Sequence, residues 1–439
     1  MFGPRDRMGM SDTALIGEKL EQAVRLLRET DTDCWLTVAR ETTEIDEPCL
    51  PFLLGFDVVW PTFVVVTPED ERHVVIGRHD APNADALGEY TVHPYDESFE
   101  PALRTVIDNV DPTEIAVNYA RDDVVADGLT HGMYLQLTDA LAGTGYEDAL
   151  VSARDVVARL RSEKSSMEYD RVARAADVTI ELFDELAAAW TPTWTEADVS
   201  AFFHDRMRTR GLESAWSWEY CPTVHAGGDA PVGHTTPGDR TLPPGEVLHV
   251  DFGVKHRGYA ADIQRLFYRP ADGDGDDGKN DSDGNGDDGG NESEGDPTTP
   301  PADLRAAYDD VRAAIDAAFE TVEPGVQGFE VDAAARSALT DRGWPVYAHA
   351  AGHHVGRNAH DGGTLLGPRW DRYGESPEGI VREGEIYTLE LGVDTQWGYL
   401  GQEEMIEVTA DGAAYLVEPQ TELYTLVSQE GVGSAGIGQ

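Results

Sequence analysis

Basic residues are scarce in this chain. Only 33 Lys and Arg stand against 83 Asp and Glu, a formal net charge of −50 over 439 residues. Such an imbalance excludes nucleic acid and anionic membrane surfaces as partners, because phosphates would be repelled. Cysteine is almost missing. Cys34, Cys49 and Cys221 are the only three, too few and too scattered for a disulfide framework or a paired-cysteine zinc motif. Long apolar runs are absent as well. No stretch approaches the ~20 residues needed to span a bilayer, and the first residues, Met1-Phe-Gly-Pro-Arg-Asp-Arg7, carry no hydrophobic signal core. These absences predict a cytoplasmic protein. The acid is spread along the whole sequence, not gathered in one tail. It predicts a cytoplasm rich in salt, the setting of a halophile, where charges are screened over very short distances.

What is present is enough to fold. Hydrophobic residues make up 40% of the chain, and the length suggests two or three domains. Before residue 160, strand-like runs alternate with helical ones. Cys34 to Val38, Phe63 to Val66, His73 to Ile76 and Ile115 to Val117 have the strand pattern, while Leu20 to Leu27 and Pro101 to Asn109 have the helical one. This mixture predicts a small α/β domain over residues 1–158. A second domain, 159–439, opens on a helix whose apolar face is Val172, Ala175, Thr179, Leu182 and Leu186. Thr195-Glu-Ala-Asp198 is a capping-box variant that starts the next helix. Leu304, Tyr308, Val311, Ile315, Phe319 and Val322 mark a third, and Val331 to Arg342 a fourth. Residues 271–301 interrupt this domain with Asp, Gly, Asn and Ser almost to the exclusion of apolar residues. That composition predicts a solvated, disordered insert. Its Asp-x-Asp-Gly pieces lack the twelfth-position Glu and the flanking helices of a calcium loop.

Carboxylates inside apolar strands carry the chemistry. Asp251 interrupts the run Val247 to Val254, and Asp262 interrupts Gly258 to Tyr268. A hairpin folded symmetrically about Lys255 to Gly258 would set Asp251 opposite Asp262. A second hairpin, centred between Gln396 and Trp397, would set Glu390 opposite Glu403, with Glu404 facing the other way. Opposed carboxylates repel, and they are stable only with a shared proton or a cation. With His353 added, four carboxylates and one imidazole suit a pair of divalent cations.

These residues fall in a wider pattern. It runs through Gly233-His-Thr-Thr-Pro-Gly-Asp239, Leu242 to Gly253, Gly258 to Arg265, Gly352-His-His-Val-Gly356, His360-Asp361, Thr388 to Gly392 and Glu403 to Thr409. The pattern resembles the pita-bread metallopeptidases: methionine aminopeptidase, aminopeptidase P, prolidase and creatinase. It covers about residues 160 to 425, and the eleven-residue step from Asp251 to Asp262 is the family's spacing. The resemblance implies an α/β (α+β) fold. A pita-bread catalytic domain would be preceded by a smaller creatinase-type N-terminal domain, which methionine aminopeptidases usually lack. It further implies two divalent metal ions per subunit, with manganese or cobalt favoured and zinc or iron also suited. Asp251 and Asp262 would hold one ion and His353 and Glu390 the other, with Asp262 and Glu403 bridging. A hydroxide between the ions would attack the scissile carbonyl, and Glu390 would carry the proton to the leaving nitrogen. His234 and His360 would face the substrate, a short peptide cleaved at an Xaa-Pro bond, and the chain would be a homodimer.

The pattern also has departures. Gly401 stands where the Xaa-Pro-specific branch has Arg, and Arg357 follows the His-His-Val-Gly motif where an apolar residue is usual. His354, His225 and His249 have no motif role, and packing is expected of them. Two alternatives remain on the same fold: a creatinase-like enzyme acting on a non-peptide C–N bond, and a non-catalytic binding module. Both usually lose ligands that are complete here.

Overall fold

The computed structural model describes residues 10–43, 46–231, 233, 235–271 and 298–426. His234 and residues 272–297, most of the acidic insert, lie outside this set. The chain divides into two compact units. One comprises Met1–Asp170, His360–Leu365 and Arg369–Ile386; the other comprises Arg171–Ala359, Leu366–Pro368 and Tyr387–Gln439.

The first unit runs α1 (Met10–Glu29), β1 (Trp35–Ala39), α2 (Leu50–Leu53), β2 (Thr62–Val66), β3 (Arg72–Gly77), α3 (Ala81–Leu87) and β4 (Thr91–Tyr95). It continues with α4 (Glu100–Val110), β5 (Ile115–Val117), α5 (His131–Leu141), β6 (Leu150–Ser152) and α6 (Arg154–Ser162). The strands form one sheet of order β4-β3-β2-β1-β5-β6, antiparallel at β1–β2 and β2–β3 and parallel elsewhere. Every residue of β2 is buried. Phe63 and Val65 pack with Leu103, Ile107, Met133 and Leu137. Val64 and Val66 pack with Leu20, Leu27, Val156 and Leu160 on the other face. A strand covered on both faces is an unbroken apolar run, which is how it stands in the sequence. The elements without a sequence signal include the edge strand β4, which carries Pro94 and is mostly exposed or half-buried.

Charge is also buried in this unit. Lys19 Nζ lies 2.8 Å from Glu168 Oε2, with side chains 0% and 1% exposed. Arg161 pairs with Asp361 and donates to the Pro48 carbonyl at 2.8 Å. Removing one member of a buried pair costs about 3–5 kcal/mol, because the other charge stays behind. Arg161→Met is therefore expected to move the urea midpoint down by that much stability at unchanged slope. An unmoved midpoint would show that the pair contributes nothing.

The second unit is built on helices α7 (Ser166–Ala189), α8 (Glu196–Arg210), α9 (Ala302–Thr321) and α10 (Gly328–Thr340). The predicted face of α7 is fully buried. The capping box of α8 forms with Thr195 and Asp198, and Gly211 closes the helix at φ 66°. The strands are β7 (Glu213–Ser214), β8 (Thr223–Ala226), β9 (Val247–Phe252), β10 (Val254–His256), β11 (Tyr259–Ala260), β12 (Ile263–Tyr268), β13 (Ile386–Thr395), β14 (Gly398–Thr409), β15 (Gly412–Tyr415) and β16 (Tyr424–Thr425). Seven of them form a sheet of order β13-β14-β12-β9-β8, with β15 on β14 and β16 on β12. Alternation divides its residues between two faces. Phe252 and Phe267 turn toward Phe183 of α7, and Phe252 also meets Phe203 of α8. On that same side Arg265 and Arg312 of α9 hold Glu404 at 3.0 and 3.2 Å. Asp251, one residue before Phe252, and Glu403, one before Glu404, therefore face away from the helices.

Candidate metal centre

The first hairpin turns one residue later than predicted, which moves the pairing by two residues. Asp251 pairs with Gln264, not with Asp262. The cause is the turn. His256 pairs with Tyr259, so the two central residues are Arg257 and Gly258, both left-handed at φ 50° and 78°. Two left-handed residues match the twist of a tight hairpin better than a turn centred one place earlier. Asp262 still faces the same side as Asp251, because it lies two residues before Gln264. The carboxylates are thus diagonal neighbours.

Gln264 in turn pairs with Glu403 of β14, and Thr223 of β8 pairs with Asp251. Strands β13 and β14 leave only Gln396 and Trp397 between them, the turn expected from the sequence. A Cβ on Gly392 would lie 2.7 Å from Gly401 Cα. Two residues on from that pair, Glu390 comes across from Glu403. One row, Thr223–Asp251–Gln264–Glu403–Glu390, therefore crosses the sheet.

His353 arrives from a segment that runs alongside β13. The Ala351 carbonyl accepts from Glu390 N at 2.8 Å, and the His353 carbonyl accepts from Thr388 N at 2.8 Å. Nδ1 of His353 lies 3.2 Å from the His354 carbonyl oxygen. A proton on Nδ1 would serve that contact and make Nε2 the candidate ligand nitrogen. Nε2 points at the row, 3.6 Å from Glu390 Oε1 and 3.8 Å from both Asp262 Oδ2 and Glu403 Oε1.

Within the second unit, two candidate ligand groups result. His353, Glu390 and Glu403 form one, and Asp251, Asp262 and Glu403 the other, with donor atoms in each within 4.8 Å of one another. Metal–ligand bonds of ~2.1 Å space donors roughly 3–4 Å apart, so a cation fits each group. Glu403 belongs to both. Its side chain is 1% exposed, and neither of its oxygens, nor Asp251 Oδ1, has a hydrogen-bond partner. Buried carboxylate oxygens without donors are costly unless cations take them. Burial first, then the neighbouring carboxylates, pushes Asp262 and Glu403 well above the usual carboxylate range. Burial and Glu390 push Asp251 up to about 7, and burial pushes Glu390 up to about 7. Four such groups cannot all ionise near neutrality without cations.

The other histidines are placed as follows. His360 is exposed and opens the short segment His360–Leu365 of the first unit. His354 stacks on Tyr387 with centroids 4.0 Å apart. Arg357 lies over the Tyr259 ring at 5.3 Å. His225 and His249 stack, Nδ1 to Nδ1 at 3.1 Å, and His249 Nε2 lies 2.8 Å from Gln264 Oε1. Burial lowers His225, and burial with His225 lowers His249 to about 3. Gln264 and His249 were open to sequence reasoning, for each stands two residues from an aspartate of the site and shares its face.

Among proteins of known sequence, the chain is 27% identical over 315 residues to the probable dipeptidase PepE of Mycobacterium tuberculosis, covering 70% of this chain and 72% of that one. It is 23% identical over 271 residues to the Xaa-Pro dipeptidase of Pyrococcus horikoshii, covering 61% and 66%. Among solved structures, dipeptidase PepE from Mycobacterium ulcerans superposes with a TM-score of 0.70 over 95% of this chain and 100% of that one, at 22% identity. X-Pro aminopeptidase from Thermotoga maritima gives 0.66 over 92% and 99%, at 18% identity. The fold is accordingly a mixed α/β N-terminal domain followed by a pita-bread half-barrel. The model of metallopeptidase family M24 matches residues 170–410, which contain all five residues of the two ligand groups, and the chain belongs to that family.

Proposed function

We propose that residues 159–439 form a peptidase domain that hydrolyses Xaa-Pro bonds in short peptides. The observation that carries this is the pair of ligand groups sharing the buried Glu403. Mostly oxygen donors with one imidazole suit manganese, cobalt, iron or zinc alike, and the family resemblance favours the first two. Bound cations would supply Lewis acidity and lower the pKa of water. Asp251, Asp262, His353, Glu390 and Glu403 would hold them. Glu390, the most exposed of the three carboxylates around His353 Nε2, at 22%, takes the attacking water's proton and returns it to the leaving nitrogen. His234 and His360 bind the substrate, as the family resemblance implies.

The test is an assay of Xaa-Pro dipeptides and longer Xaa-Pro peptides with manganese or cobalt, in concentrated salt. Cleavage of dipeptides alone is expected for a prolidase-type enzyme, and cleavage of longer peptides for an aminopeptidase P. With Gly401 in place of Arg, proline specificity is the finer point. Equal rates on Xaa-Ala and Xaa-Pro would remove it and leave a general dipeptidase. Full activity after metal stripping would sink the assignment.

A further inference from the structure

Gln264 is the one side chain of the row between Asp251 and Glu390 that carries no charge. It sits on the central strand, with Asp251 on one neighbour and Glu403 on the other. Its Nε2 lies 3.5 Å from Glu390 Oε2, although Glu390 stands on β13 and β14 runs between them. The side chain can cross β14 only because Gly401 has no side chain. A Cβ at Gly401 would lie 2.5 Å from Gln264 Oε1 and 2.6 Å from His249 Nε2. Behind the amide, Oε1 is 2.8 Å from His249 Nε2, and His249 Nδ1 is 3.1 Å from His225 Nδ1. The Tyr399 ring closes edge-on over His249 at 5.1 Å.

The directions of these bonds are fixed from the carboxylate end. Glu390 as a carboxylate only accepts, so the amide turns its NH₂ toward it and its oxygen toward His249. His249 then carries its proton on Nε2, and its Nδ1 accepts from His225 Nδ1. With both rings neutral the chain ends there. The remaining contact, from His225 Nε2 to the Gly233 carbonyl oxygen, is the longest of the three imidazole contacts at 3.2 Å.

We propose that Gln264 is a positioning residue that orients the Glu390 carboxylate, held to that task by His249 and His225 and admitted by Gly401. This rests on the assignment of Glu390 to the metal pair and the reaction. Groups that orient metal ligands from outside typically matter 10–100-fold in metal affinity or activity.

The experiment titrates cobalt into the metal-free full chain and follows its visible absorption, alongside kcat and KM for an Xaa-Pro dipeptide. Gln264→Met keeps the length and removes both polar contacts. It is expected to bind cobalt about tenfold more weakly, with a changed spectrum, and to lose at least tenfold in kcat at similar KM. His249→Leu should move the spectrum in the same direction, and His249→Gln, which restores a donor, should return it toward the parent. A merely structural role would weaken both His249 variants alike and leave the spectrum alone. If Gln264→Met does not fold, Gly401→Ala presses on the amide from β14 and should show the same loss. Cobalt affinity, spectrum and kcat all within twofold of the parent in whichever of these two folds would overturn the proposal. A parent that binds cobalt but cleaves no peptide sinks the peptidase assignment alone, and the cobalt titration still decides the role of Gln264. A parent that binds no cobalt overturns both.

Discussion

Glu403→Ala is expected to leave the protein unable to hold either metal ion tightly and to cut turnover by at least ~10³-fold, a loss of about 4 kcal/mol of transition-state stabilisation. The size follows from sharing. Glu403 is the one residue common to the groups His353–Glu390–Glu403 and Asp251–Asp262–Glu403. Its removal takes an anion from each. The three remaining carboxylates keep their burial but lose the geometry that a bridging ligand imposes. Metal content after dialysis, read by elemental analysis, checks the first half, and single-substrate kinetics the second. The neighbouring residue is the control. Glu404 lies on the helix side of the sheet, between Arg265 and Arg312. Glu404→Gln should lower stability, because Arg265 loses its anion and Arg312 keeps only Asp316, yet keep two metal ions per chain. Equal metal loss in the two variants would show that the sheet face does not separate their roles.

The contrast between Glu403 and Glu404 was legible before any coordinates, because strand alternation assigns adjacent residues to opposite faces. The turn at Gln396 and Trp397 was legible too. The turn of the first hairpin was not. Lys255 to Gly258 admits two centres, and the choice lies in the backbone conformation of Arg257, a residue whose identity does not announce a positive φ. A turn one residue later exchanged Asp262 for Gln264 as the partner of Asp251, and with it hid a polar side chain that joins the row across β14. In the first unit, central strands such as β2 stood out as apolar runs. The edge strand β4 did not, because its partners cover one side only and Pro94 breaks the pattern. The pairing of Arg161 with Asp361 spans 200 residues of sequence, and no local signal marks so distant a contact.

Lowering the salt is expected to unfold the protein under conditions where an ordinary acidic domain stays folded. A net charge of −50 repels itself over the whole surface. The Debye length is ~3 Å at 1 M and ~30 Å at 0.01 M, so dilution exposes each carboxylate to many more of its neighbours. Several of the few bases are already shared: Arg25, Arg72, Arg159 and Arg210 each bridge two acids. A melting series in potassium chloride should show the midpoint rising steeply up to about 1 M and then flattening as screening saturates. Potassium sulfate at equal ionic strength should add a further rise, because it also strengthens apolar burial. A midpoint that does not change from 0.1 to 1 M would end the argument. The four carboxylates of the metal row, two buried and two half-buried, obey a different rule. Ions in bulk water screen buried and half-buried groups much less than surface ones, so cations held between them are what relieves most of that repulsion. Chelation should therefore lower the midpoint by a similar amount at every salt concentration at which the chain is folded. The surface and the site would then add as independent terms, one answering to ionic strength and the other to two bound ions.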